Sequence, residues 1–144
     1  MGLARSEAQI TWSAANSITL SATTPQASDA MTIDSSCYAI SVTVRVDNQG
    51  TPVSGDVLNV AVLWSNGDLD AGGGADDFDS TEHAMSLMVL DTYATNTPGE
   101  DPATRTLPID PSMGKAFKLL VTAPGWASGR NMLVAARCTM RTAS

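Results

Sequence analysis

From Tyr38 onward, apolar residues fall on every second position: Tyr38, Ile40, Val42, Val44 and Val46. Between them stand Ala39, Ser41, Thr43, Arg45 and Asp47. A period of two directs one set of side chains to a core and the other to water, as in a half-buried strand. The β-branched content suits a pleated surface. Turn formers then interrupt the pattern over Asn48-Gln49-Gly50-Thr51-Pro52-Val53-Ser54-Gly55-Asp56, and Leu58, Val60, Val62 and Trp64 resume it. Two long strands joined by a loop, most simply antiparallel, are expected here.

The rest of the chain carries weaker versions of the same signal. Ile10, Trp12, Ile18 and Leu20 alternate in short runs broken by Ala14-Ala15-Asn16, and Met31 and Ile33 mark a short strand. A glycine-rich acidic loop follows Trp64 and extends to Asp79. Thr81 to Asp91 reads two ways. Asp79 and Glu82 have the spacing of a capping box that opens a helix, whereas Met85, Leu87 and Val89 alternate as in a strand. The surrounding β spacing favours the strand. Thr95 to Thr104 is a loop, and Leu107 to Ile109 an edge strand, because Pro108 cannot donate to a ladder. Phe117, Leu119 and Val121 alternate next. The last strand runs from Met132 to Met140, with Val134, Ala136 and Cys138 inward and Arg137 and Thr139 outward.

About eight short strands at loop-rich intervals predict an all-β fold, an antiparallel β-sandwich of jelly-roll-like form. Its core is expected to include Tyr38, Ile40, Val42, Val44, Leu58, Val60, Val62, Phe117, Leu119 and Val134. Residues 1–9 read as a flexible polar arm and residues 10–144 as one domain. In the arm and at its root, Leu3, Ile10 and Trp12 are candidate contact anchors and Arg5 a candidate rim charge.

Composition narrows the function classes. A hydrophobic content of 43% over 144 residues excludes wholesale disorder and supports a real core. No apolar run reaches the roughly 20 residues needed to cross a bilayer, so no membrane role is expected. No basic segment leads into an apolar run at the N-terminus, which predicts synthesis in the cytoplasm of the cell that makes it. Met1 to Ser6 fits the myristoylation pattern, but so short a pattern recurs by chance.

Charge is unevenly placed. Between Arg45 and Arg105 there are eleven acids and no base, whereas from Arg105 onward six bases face the single acid Asp110. A net charge of −7 argues against nucleic acid as a partner. The asymmetry either steers one subunit toward another or is mixed by folding.

Candidate chemistry is sparse. His83 is the single histidine, so a Ser-His-Asp or Cys-His site has one base to draw on, beside Glu82. Cys37, Cys138 and His83 lack zinc-ligand spacing, and Gly72-Gly73-Gly74 has no following Lys-Ser/Thr for a phosphate loop. No catalytic residue and no cofactor is assigned. Without a secretory leader the two cysteines are expected as free thiols. Asp68, Asp70, Asp76, Asp77 and Asp79 offer oxygens for Ca²⁺, although in no known loop spacing. Trp12 and Trp64 fall on core positions, which leaves Trp126, in a loop beside Gly125, as an interface anchor or a sugar platform.

The run Ile10-Thr11-Trp12-Ser13-Ala14-Ala15-Asn16-Ser17-Ile18-Thr19-Leu20 resembles the start of small structural proteins encoded among the head genes of tailed bacteriophages. Val46 to Asp56, and the acid-rich loop leading into Glu82-His83-Ala84, are similar too. The resemblance spans about residues 10 to 95. It implies a decoration (cement) protein on the outer surface of the virion capsid, bound to the major capsid protein and bridging capsomers. Such proteins are often trimers at symmetry axes, and they carry no catalytic residues. The competing class is a carbohydrate-binding or adhesin-type sandwich, as in a head fibre or minor tail protein.

Overall fold

A computed structural model of the chain describes residues 2–95 and 102–143. Among the described residues there are ten strands: β1 (Leu3–Ile10), β2 (Ile18–Leu20), β3 (Gln26–Ala27), β4 (Met31–Thr32), β5 (Cys37–Asn48), β6 (Val57–Ser65), β7 (Met85–Asp91), β8 (Ala103–Ile109), β9 (Ala116–Thr122) and β10 (Met132–Ala143). The first sheet has the order β1-β10-β5-β8, with β2 also on β10. The second has the order β3-β9-β6-β7, with β4 also on β9. Every pairing is antiparallel.

The first sheet's outer position is filled twice along β10, by β1 against its C-terminal half and β2 against its start. β3 and β4 likewise share β9. Counting each pair as one interrupted strand gives eight strands in two four-stranded sheets, the double Greek key of a jelly roll. The β-sandwich expected from the alternation is therefore present.

The core lies between the sheets. Ile40, Val42, Val44 and Val46 of β5 meet Leu58, Val60 and Val62 of β6, with Phe117, Leu119 and Val121 of β9 and Val134, Ala136 and Cys138 of β10. Trp64 packs obliquely on Phe117, with ring centroids 5.9 Å apart. Tyr38 departs from the expected core: it is 51% exposed. The β5–β10 register shifts between Arg141 and Thr142, so that Ala39 and Cys37 are paired but Tyr38 is passed over. A bulge of this kind re-aims the extra side chain.

The same effect decides β7. Thr81–His83 forms only one 3-10 turn, and the strand begins at Met85. Its pairing with β6 shifts between Val60 and Ala61, which leaves Leu87 unopposed. Beyond the bulge Met88 and Leu90 are buried, while Met85 and Val89 are about half exposed. The expected loop from Thr95 to Thr104 lies largely outside the described residues. It follows one helical turn, Thr92–Thr95.

The N-terminal arm is corrected outright. Leu3–Ile10 is a regular strand paired with Ala143–Ala136 along its whole length. Its polar sequence misled because an edge strand beyond the cover of the opposite sheet needs no alternation. Between β1 and β2 the chain makes a tight turn, in which Trp12 and Ala15 exchange backbone hydrogen bonds of 2.9 Å. Ser13 and Ala14 occupy left-handed conformations, unusual for residues with a Cβ. Asp29 holds them there, accepting from Thr11 Oγ1 at 2.6 Å, Ser13 N–H at 3.1 Å and Ala14 N–H at 2.8 Å.

Those hydrogen bonds, Thr11's foremost, hold the Asp29 carboxyl below its ordinary value of 3.8. A depressed carboxyl contributes stability that is present above the unfolded value and is lost as pH falls through the folded one. Asp29→Ala is therefore expected to lower Tm at pH 7, and its deficit relative to the wild type to shrink as the pH drops below 3.8 in a thermal-melt series. A deficit independent of pH would contradict this role.

Val60 is 1% exposed between the sheets. Val60→Asp places a carboxylate there with no partner, at a cost of about 4 kcal/mol or more, comparable to a whole domain's stability. Loss of soluble folded protein is the expected result, read by circular dichroism and expression yield.

Cys37 and Cys138 are free thiols, Cys138 fully buried. Burial, with a smaller effect of Cys37, pushes the Cys138 thiol up to about 11. Iodoacetamide at pH 8 should leave Cys138 unmodified in the folded protein and label it in denaturant, as peptide mass spectrometry would resolve.

Candidate interaction surfaces

The acidic loop is tied at its base to the second sheet. Asp79 N–H donates to Trp64 O at 2.9 Å, its carboxylate accepts from Trp64 N–H at 3.2 Å, and Asp77 N–H donates to Gly67 O at 3.0 Å. Within the loop, carboxylates fold back onto nearby amides: Asp77 accepts from Leu69 N–H, Asp70 from Gly72 N–H and Asp68 from Gly74 N–H, all at 2.8 to 2.9 Å. A hydrogen bond with the Asp70 side chain, followed by the Gly74 and Gly73 amides, holds the Asp68 carboxyl below its usual range. The loop thus turns its oxygens to its own backbone. Among the described residues, no three acidic, histidine or cysteine side chains gather as a metal would need, so the five aspartates are not brought into one Ca²⁺ site.

The remaining sequence candidates scatter. His83 Nδ1 shares a 2.8 Å hydrogen bond with Ser80 Oγ on the surface, which makes a local turn clamp. Ile10 and Trp12 are core residues, 0% and 4% exposed, and so are withdrawn as contact anchors. Both sit where the interrupted first strand turns inward. Leu3 stays 75% exposed on β1. Arg5 lies near it, 2.7 Å from Glu7. Trp126 is half-buried: it packs on the core, and its Nε1–H donates to Asn131 Oδ1 at 2.9 Å. Its ring is thus partly committed to the fold.

The structure brings together a surface that the alternation did not single out. Two depressions of about 320 and 270 Å³ share Trp64, Met85 and Met113. One continues to Leu87, Pro108 and Ile109, and the other to Leu69 and Phe78. Leu69 is 76% exposed, Met85 48% and Met113 41%. They form one apolar strip along the β7/β8 side of the sandwich. Met85 reaches it because of the β7 bulge, and Met113 because a 3-10 turn at Pro111–Met113, capped by Asp110, swings it over the sheet edge. Unbranched methionines adapt to an irregular partner surface. Each contribution depends on a bulge or a loop, so periodicity could not have revealed the strip.

A second surface is polar. On the outer face of the first sheet, the register aligns Arg5 with Arg141, Glu7 with Thr139, and Gln9 with Arg137 and Thr43. Arg45 continues the face on β5. Four arginines thus share one face of a chain whose net charge is −7.

Among the described residues no helix is long and apolar enough to cross a membrane. No protein-family model and no curated protein sequence matches the chain. Among solved structures, it is similar to a family GH115 4-O-methyl-α-glucuronidase, BtGH115A, described as having specificity for decorated arabinogalactans. That likeness has 13% identity and a TM-score of 0.43, and covers 96% of this chain but 16% of that one. At this level it carries no argument, and this chain spans about one-sixth of that chain's length.

Proposed function

We propose that the protein is a virion structural protein, a capsid decoration protein that binds the major capsid protein on the outer surface of a phage head and stabilises it by bridging capsomers. The observation that carries this reading is the apolar strip of Leu69, Met85 and Met113 over Trp64. Side chains that leave this much apolar area in water gain by covering it, and a rimmed apolar patch of this kind marks a protein-binding surface. The rim is acidic on one side, where Asp77 and Asp79 line the depression. It therefore favours a capsid surface carrying lysine or arginine around an apolar centre. The phage-head resemblance of residues 10 to 95 agrees with such a partner.

The test is co-sedimentation with heads assembled from the major capsid protein of the encoding virus. Leu69→Asp combined with Met85→Asp should leave Tm within about 2 °C of the wild type, since both side chains are exposed. The same variant should weaken capsid binding by about tenfold or more, the loss expected on removing interface anchors. Wild-type protein that ignores the heads overturns the reading. Glycan-array binding abolished by Trp126→Ala would replace it with a carbohydrate-binding one.

A further inference from the structure

The sandwich has four edge positions, and three of them carry recognisable devices against strand pairing. β8 contains Pro108, which has no N–H to donate. β7 is bulged where it meets β6. β3 and β4 have two residues each. β1 is the exception. It is eight residues long, has no proline, and keeps an unbroken register with β10 from Leu3 to Ile10. Among the described residues it is the terminal strand of its sheet, with no strand on its outer side. Residues 3–8 are exposed on both faces.

The charges on this edge are arranged to match themselves. Arg5 and Glu7 flank Ser6 on one face of the strand, with Ala4, Ser6 and Ala8 on the other. If a second β1 runs antiparallel with the two Ser6 residues opposite each other, Arg5 of each copy stands opposite Glu7 of its partner. Ala4 then stands opposite Ala8, a pair small enough to meet without a clash. Centring the pairing on Arg5 or on Glu7 instead sets like charges opposite one another, which is unfavourable. Shifting by a single residue turns the outer face of one sheet to the inner side of the other.

We infer that the protein forms a twofold dimer by antiparallel pairing of β1 with β1 of a second copy, centred on Ser6, which joins the two first sheets into one continuous sheet. The Arg5 and Glu7 pairs fix the register, and the backbone groups along the edge supply the ladder. This contact is separate from the apolar strip and does not depend on what covers the strip. It replaces the threefold association expected from the resemblance, because antiparallel pairing of identical strands has a twofold axis.

Cross-linking tests the register directly. Opposed residues of an antiparallel pair have Cα atoms about 4.5 to 5.5 Å apart, inside the roughly 4.4 to 6.8 Å window of a disulfide. In a Cys37→Ser/Cys138→Ala background, which removes the thiol that stands opposite Ala8 within the same chain, Ser6→Cys should oxidise to a covalent dimer. Ala8→Cys alone should not, but it should form a mixed disulfide dimer with Ala4→Cys. By sedimentation equilibrium, Arg5→Glu or Glu7→Arg should weaken dimerisation by about tenfold, and the double swap Arg5→Glu/Glu7→Arg should restore it. All these β1 positions are exposed, so folding is expected to survive each change there. A wild-type protein that stays monomeric at several hundred micromolar overturns the inference. So does a dimer indifferent to both single charge reversals, or one that Ala8→Cys cross-links as readily as Ser6→Cys.

Discussion

The pairing of β5 with β10 is the contact on which the rest of the molecule depends. It joins residues 37–48 to residues 132–142, and it is the middle ladder of the first sheet. β8 and β1 are placed only by lying on its two outer sides. Its register sets Val42 opposite Cys138 and Val44 opposite Ala136, so the buried rows of both strands face the second sheet together. A slip of one residue would turn one strand's buried row outward, bringing Thr43 and Arg45 into the core if β5 flips, or Arg137 and Thr139 if β10 does. The apolar alternation and the ladder therefore enforce each other. Their cost is kinetic: so distant a pairing must close nearly the whole chain before it is rewarded, as in other sandwiches dominated by non-local contacts.

One end of the sandwich is held differently, by polar groups. Asp56 is 2% exposed and meets Arg130, with Nε 2.9 Å from Oδ2 and Nη2 3.3 Å from Oδ1. Asp56 also accepts from Val53 N–H, and its carbonyl accepts from both the amide and the hydroxyl of Thr92. Thr92 Oγ1 in turn accepts from Asn48 Nδ2 at 3.3 Å. Three connections are thus pinned to one buried residue: those after β5 and before β10 by the Asp56 carboxylate, and the one after β7 by its backbone carbonyl. Removing Arg130 would strand that charge, which costs more than an exposed ion pair is worth. The same corner explains Gly50: a Cβ there would run into the carbonyl of Gly129, so the two loops approach as closely as bare backbone allows.

What the sequence disclosed follows from what alternation can encode. The rows from Ile40 to Val46 and from Leu58 to Val62, and those of β9 and β10, were legible because both sheets cover them along their length. Tyr38 and Leu87 were not, because a bulge shifts the phase by one residue and leaves no mark in the apolar pattern. β1 escaped notice for the opposite reason. It is held by backbone hydrogen bonds with little side-chain burial, and such a ladder is compatible with almost any polar sequence. The clamp by Asp29 on the Ser13-Ala14 turn joins residues far enough apart that only the folded chain relates them. The apolar strip fails the same test, since it collects single residues from four separate segments.

The order β1-β10-β5-β8 puts the two proposed contact regions on opposite sides of the first sheet, three strand spacings or roughly 14 Å apart. Neither contact therefore blocks the other. A dimer joined at β1 would carry two apolar strips, one toward each end of the joined sheet. A weak strip-to-shell contact then gains from being offered twice, because the second engagement is intramolecular once the first has formed. The arginine-bearing outer face would run unbroken across the dimer, while the acidic loop stays beside each strip. The arginine-bearing face and the acidic loop thus lie on different surfaces, which would orient the proposed particle as it approaches a charged shell, before any apolar area is buried. Folding thus mixes part of the uneven charge, since Arg130 pairs with Asp56 and Lys118 lies over the Phe78 ring of the acidic loop, and keeps apart the share carried by the arginine-bearing face.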